Sequence, residues 1–213
     1  MHGPVRPATL RSLEASDAEQ VGIVGAGPAG LLLSHLLHLQ GIESILLEAR
    51  SRDYVENRIR AGVLEFVTEK LLNDSGVGER MRREGLLHPG AVMRFGGADH
   101  RVDFADLVGK GVMVYSQHNV VQDLIAARLS AGGQIVFQAD NVSVHDFHTE
   151  HPYIRYHHGG AAQRVHCDII AGCDGFHGVC RASIPPDVQR GFALLAMRSP
   201  ALSRLYLQCA LMI

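Results

Sequence analysis

Three glycines spaced as Gly25-x-Gly27-x-x-Gly30, a lone carboxylate at Glu48 and two guanidiniums at Arg58 and Arg60 carry the chemistry that can be read first. In such a glycine pattern the first residue permits a tight turn. The second lets backbone approach a pyrophosphate, and the third allows close packing of a helix on a strand. The helix that follows offers unpaired N–H groups and a positive dipole end to phosphate. Glu48 closes the next apolar run, where a carboxylate accepts hydrogen bonds from both ribose hydroxyls and repels a 2′-phosphate. The residues therefore point to an adenosine with a free ribose, in FAD or NAD, and the glycines alone do not choose between them. Arg58 and Arg60, two apart in a segment that reads as extended, can project to one face and clamp a diphosphate. Two solvated arginines ahead of a helix are the alternative. Cys173-Asp174-Gly175 places a carboxylate and a flexible turn after a β-branched run, at a strand end or in a hairpin turn.

These groups need a scaffold, and the pattern supplies one. Val21–Val24 reads as a buried strand, LLLSHLLHLQ as a helix stopped by Gly41, and IESILLEAR as a second buried strand, giving a βαβ unit with parallel strands. SRDYVENRIRAGVLEFVTEKLLNDSG reads as an extended entry and then an amphipathic helix. EGLLHPGAVMRFGGADHRVDF reads as a hairpin that interrupts the βα rhythm. GVMVYSQHNVVQDLIAARLSAGG returns to strand and helix, and the segment ending in IIAGCDG reads as strands joined by a Gly-Gly turn.

Composition narrows the function classes. The chain has 213 residues, 46% of them hydrophobic, with a formal net charge of -2, so a substantial core is expected and a nucleic-acid partner is not. Cys167, Cys173, Cys180 and Cys209 show neither zinc spacing nor a secreted disulfide framework. His35 and His38 lack a third ligand, so no metal is expected. No signal peptide or membrane-length apolar run is present, which predicts a soluble cytoplasmic protein.

The stretches IVGAGPAGLLLSHLLHLQGI, DYVENRIRAGVLE, VYSQHNVVQDL, CDIIAGCDGFHGVCRASIP and RGFALLAMRSPALSRLYLQ together resemble the flavoprotein aromatic hydroxylases, most closely the branch acting on 4-hydroxybenzoate. The resemblance implies an α/β, Rossmann-like FAD-binding domain with a parallel sheet and an incomplete antiparallel portion of a substrate domain. On that basis residues 1–20 are a loose extension, 21–186 the FAD-binding domain with 84–107 contributing to the substrate sheet, and 187–213 a remnant of the substrate domain. It implies FAD on Gly25, Gly27, Ala29 and Gly30, with Glu48 on the ribose. Arg58, Ile59, Arg60, Ala61, Gly62 and Val63 would run along the dinucleotide, and Gln117 would lie on the flavin side. Asp174 and Gly175 would touch FAD and pyridine nucleotide, with His177 and Arg181 serving NADPH. Arg198 and Tyr206 would hold the carboxylate of a small aromatic acid beside Met197.

The implied reaction converts 4-hydroxybenzoate to 3,4-dihydroxybenzoate with NADPH and O2, in a protein compatible with a homodimer. Ala196 stands where the family usually offers a serine hydroxyl, a loss of ~1.5–3 kcal/mol for a charge-assisted hydrogen bond. The chain is also short between Gln189 and Arg190, contains no Gly-Asp dipeptide and ends at Ile213. The resemblance thus leaves two alternatives: a truncated, internally deleted FAD-binding relative without turnover, or a related phenol hydroxylase with another aromatic acid.

Overall fold

The computed structural model describes residues 19–186. In chain order the elements are β1 (Glu19–Val24), α1 (Pro28–Leu39), β2 (Ser44–Glu48), α2 (Arg52–Asn57), β3 (Val63–Leu64) and α3 (Phe66–Asp74). Then follow α4 (Glu79–Glu84), β4 (Leu86–His88), β5 (Gly90–Phe95), β6 (Ala98–Asp103), α5 (Phe104–Val108) and β7 (Val112–Val114). The last are α6 (Gln117–Ser130), β8 (Gln134–Phe137), β9 (Asp140–His145), β10 (Tyr153–His158), β11 (Ala161–Gly172) and α7 (Val179–Ser183).

The main sheet has the order β8-β2-β1-β11-β10-β9. The β8, β2, β1 and β11 neighbours pair in parallel, whereas β11, β10 and β9 form an antiparallel meander. Strand β11 is long enough to serve both. Its first half pairs with β10 up to His166, and its second half pairs with β1 from Cys167 to Gly172. The β10–β11 turn falls on Gly159 and Gly160, at φ of 58° and 79°, the left-handed pair that a tight hairpin of this twist requires.

Apolar alternation cannot be seen in β1 and β2 because both of their faces are covered. Ile23 and Leu46 face the cluster formed with α1 and α6, and Val24, Ile45 and Leu47 face the cluster formed with the meander. Gly22 has no room for a side chain, since a Cβ there would come within 2.7 Å of Ile154 Cδ1. Between α1 and α6 lies a small polar seam in which the buried Arg128 Nε donates to Ser34 Oγ at 3.0 Å and Ser34 meets Ser44 at 3.0 Å.

Two smaller sheets flank this body: β3-β7-β4, and the β5-β6 hairpin turned by Gly96 and Gly97. No helix among the described residues is long and apolar enough to cross a membrane. The structure corrects two local expectations. Strand β1 starts at Glu19, ahead of the Val21 expected from the apolar run. The entry SRDYVEN is helix α2 rather than extended chain, because Ser51 Oγ accepts the Tyr54 N–H at 3.3 Å and Asn57 Nδ2 donates back to Asp53. That short-range capping competes with the strand propensity of Tyr54 and Val55 and prevails.

Burial pushes the Cys167 thiol up to about 11 and, with Asp174 adding to it, the Cys180 thiol up to about 12. A thiol raised above its ordinary value of about 8.5 stabilises the fold fully below that pH, and the contribution is lost as pH climbs through the folded-state value. The melting temperature is therefore expected to fall between about pH 9 and pH 11, measured by circular dichroism across that range. At pH 8 both cysteines should alkylate with iodoacetamide at least ~100-fold more slowly than free cysteine, read by peptide mass spectrometry. Rapid labelling would contradict the packing described.

Candidate functional site

The chain leaves β1 at Val24 between the ends of its two neighbours. Cys173 N–H donates to the Val24 carbonyl at 2.7 Å, and Gly25 N–H donates to the Leu47 carbonyl at 2.8 Å. From β1 the chain passes to β2 on one side, and β11 arrives later on the other. This is a topological switch point, where ligands bind at strand carboxyl ends in open α/β sheets.

The three glycines of the turn serve different needs. Gly25 has φ +106°, and a Cβ there would lie 2.5 Å from the Cys173 carbonyl oxygen. Gly30 lies beneath the same turn, where a Cβ would come within 2.0 Å of the Gly25 oxygen. Both are demanded by the protein's own backbone. Gly27 is not, since a Cβ there would meet nothing within 4 Å. It opens on empty space at the N-terminus of α1, as the residue that lets a ligand approach must do.

That N-terminus has no side-chain cap and no acidic residue in its first turn, and Pro28 supplies no N–H. The N–H groups of Ala29 and Gly30 belong to the first helical turn and have no intrahelical acceptor. Glu48 faces the same turn, with Oε2 accepting from Ala26 N–H and Oε1 from Arg50 N–H, each at 2.8 Å. Each carboxylate oxygen retains capacity for a second hydrogen bond, enough for two ribose hydroxyls. Open glycine, uncapped helix and inward carboxylate together fit the adenosine diphosphate half of FAD.

Gly25, Ala26, Gly27, Ala29, Glu48 and Arg50 line one continuous cleft of about 2640 Å³, and Gly30 is buried beneath it. Arg58, Arg60, Ala61, Val63 and Gln117 line it as well. Arg58 and Arg60 pair with no carboxylate of the described residues, and partial burial followed by the Arg58 charge lowers the Arg60 pKa. Two guanidiniums held together without an acid favour an anionic ligand. Ile59 and Gly62 do not line the cleft. Ile59 is 84% exposed. Gly62 serves packing, since a Cβ there would lie 2.4 Å from the Tyr115 carbonyl oxygen.

Asp174, Gly175, His177 and Arg181 line the cleft as well, Asp174 directly beside the Gly25 turn. Asp174 Oδ2 accepts the Cys180 N–H at 3.0 Å, and Gly178 admits the carboxylate, which a Cβ would meet at 2.0 Å. Asp174 thus holds the entry to α7 as well as facing the cleft. The Arg181 guanidinium lies 4.4 Å from the Phe176 ring centre. Ala196, Met197, Arg198 and Tyr206 lie outside the described residues.

Sequence reasoning passed over Arg50 and Tyr54, which also line the cleft. Arg50 and Arg58 lie 5.4 and 5.6 Å from the Tyr54 ring centre, one on either side of it in sequence. Arg50 precedes the cap of α2 and Arg58 follows its last turn, so no helical spacing in the sequence announces the grouping.

Residues 18–211 match the FAD binding domain family. The chain is 41% identical to p-hydroxybenzoate hydroxylase of Acinetobacter baylyi, over 90% of this chain and 55% of that protein. It is 28% identical to Monooxygenase 1 of Arabidopsis thaliana, over 84% of this chain and 44% of that one. It therefore spans about half the length of these relatives. Among solved structures, p-nitrophenol 4-monooxygenase PnpA of Pseudomonas putida superposes with a TM-score of 0.66 at 21% identity, covering 77% of this chain and 42% of that one. The flavin-dependent monooxygenase PieE, solved with FAD and substrate, gives 0.65 at 24% identity over 78% of this chain and 31% of its own. These two show a shared fold. An open glycine turn at the switch point, a carboxylate turned onto it and a family match over nearly the whole chain agree, and the chain belongs to the FAD binding domain family.

Proposed function

We propose that this chain is an FAD-dependent hydroxylase of small aromatic acids, with 4-hydroxybenzoate as substrate, NADPH as reductant and O2 as the oxygen source. The single observation that carries the cofactor is the open Gly27 beside an uncapped helix N-terminus. The aromatic substrate rests on the 41% identity to p-hydroxybenzoate hydroxylase. Bound flavin would supply the redox chemistry that places one oxygen atom on the ring.

The chain's own residues would bind and orient. Ala29 and Gly30 N–H groups would donate to the pyrophosphate, and Glu48 would accept from the ribose hydroxyls. Arg58 and Arg60 would balance the two phosphate charges. Asp174 and Gly175 would touch both FAD and the transient NADPH, and His177 and Arg181 would meet the NADPH. Arg198 would take the substrate carboxylate in a two-point contact that lysine cannot reproduce, with Tyr206 also contacting it and Met197 among the substrate-binding residues. Ala196 offers that carboxylate no hydroxyl, which would weaken substrate binding by about tenfold or more.

The purified chain should take up added FAD and acquire its visible absorbance, and 4-hydroxybenzoate should stimulate NADPH oxidation. Failure to hold FAD would overturn the proposal. Flavin uptake without aromatic stimulation would reduce it to a flavin-binding protein. Two glycine variants separate ligand from fold. Gly25→Ala is expected to cost more than ~2 kcal/mol, lowering the melting temperature by several degrees, because φ and space both forbid the methyl. Gly27→Ala should leave the melting temperature of the apoprotein within ~1 °C and weaken FAD binding at least ~10-fold, by flavin fluorescence titration.

A further inference from the structure

The segment that carries Arg58 and Arg60 into the cleft has no regular structure between α2 and β3. Its downstream end is fixed by backbone, since Tyr115 N–H donates to the Gly62 carbonyl at 2.9 Å. Its upstream end is fixed by one side chain from a distant helix. Gln122 Nε2 donates to the Glu56 carbonyl at 3.0 Å, across 66 positions of sequence.

Gln122 is itself oriented. Arg80 Nη1 donates to Gln122 Oε1 at 3.1 Å, so the amide nitrogen is the end left to face Glu56. The Arg80 guanidinium is held in turn by Glu84 Oε2 at 2.8 Å, Asn119 Oδ1 at 3.1 Å and Asp123 Oδ1 at 3.5 Å. Asp123 Oδ2 also accepts the Tyr115 hydroxyl at 2.6 Å, and Tyr115 is the residue whose N–H pins Gly62. One polar network, rooted in α4 and α6, therefore grips both ends of the arginine segment.

We propose that Gln122, its amide oriented by Arg80, is a positioning residue that holds Arg58 and Arg60 at the phosphates of the bound dinucleotide. This rests on the FAD reading above. A guanidinium on an untethered segment spends much of its time away from a phosphate, and tethering both ends removes that entropic cost from binding. Gln122 touches no ligand itself, and its effect passes through the Glu56 carbonyl.

The test is a double-mutant cycle on the full chain, read as the FAD dissociation constant by flavin fluorescence, with circular dichroism melting alongside. Gln122→Met should raise the constant about three- to tenfold, the equilibrium factor of one lost hydrogen bond. In an Arg58→Gln/Arg60→Gln background the same change should have no further effect, because nothing remains for Gln122 to position. Gln122→Glu is the second variant: it still accepts from Arg80 but cannot donate to Glu56, and it should reproduce the loss. An unchanged constant in the parental background, or an equal loss in both, overturns the proposal and leaves FAD binding intact. A parental chain that binds no FAD removes both.

Discussion

The contact on which this structure depends is backbone against backbone at the end of β1. Three strand ends, those of β2, β1 and β11, converge there, joined by hydrogen bonds from Gly25 to Leu47 and from Cys173 to Val24. Any side chain at Gly25 or Gly30 would enter space held by main-chain atoms, which cannot rotate away. The turn is therefore tight for reasons internal to the fold. What it leaves over is a helix N-terminus with unspent N–H groups and one glycine that faces nothing.

Electrostatics at the cleft follow from that geometry. The Glu48 carboxylate, brought onto the turn, is satisfied on both oxygens by backbone N–H groups, which fixes its orientation before any ligand arrives. Arg50, Arg58 and Arg60 line the same wall without acidic partners among the described residues. Elsewhere several arginines are matched, as in Arg52 with Glu56, Arg80 with Glu84 and Arg94 with Asp99. Three arginines without an acid thus gather where a doubly charged pyrophosphate would lie. Such an arrangement gains more from ligand than a solvated pair would, because the charges are already held in place.

Strand β11 links the site to the stability of the whole. Its second half lines up beside β1, while its first half carries a meander whose inner face, with Ile154, Tyr156 and Val165, closes the second core cluster. Its end delivers Cys173 and Asp174 to the glycine turn. A single strand thus sets both the cover of the sheet and one wall of the cleft. The Asp174 carboxylate, holding the Cys180 N–H, extends that wall into α7.

Residue types and local spacing determined much of this. The glycine spacing, the apolar runs at Val21–Val24 and around Leu46, and Glu48 at the second strand's end fix a parallel βαβ unit and its ligand end, because each signal is contained within about thirty residues. Gly-Gly turns at 96–97 and 159–160 were equally legible. Tertiary structure decided what depended on partners far away in sequence. It showed that Gly27 alone of the three glycines is free of packing, because the atoms crowding Gly25 come from Cys173 and Asp174, about 150 positions on. It packed Gly62 against the Tyr115 backbone, and it joined Gln122 to the Glu56 carbonyl, a contact that no local pattern announces. Sequence records the chemistry each residue can offer. Which atoms lie within reach of which is settled only when distant segments pack.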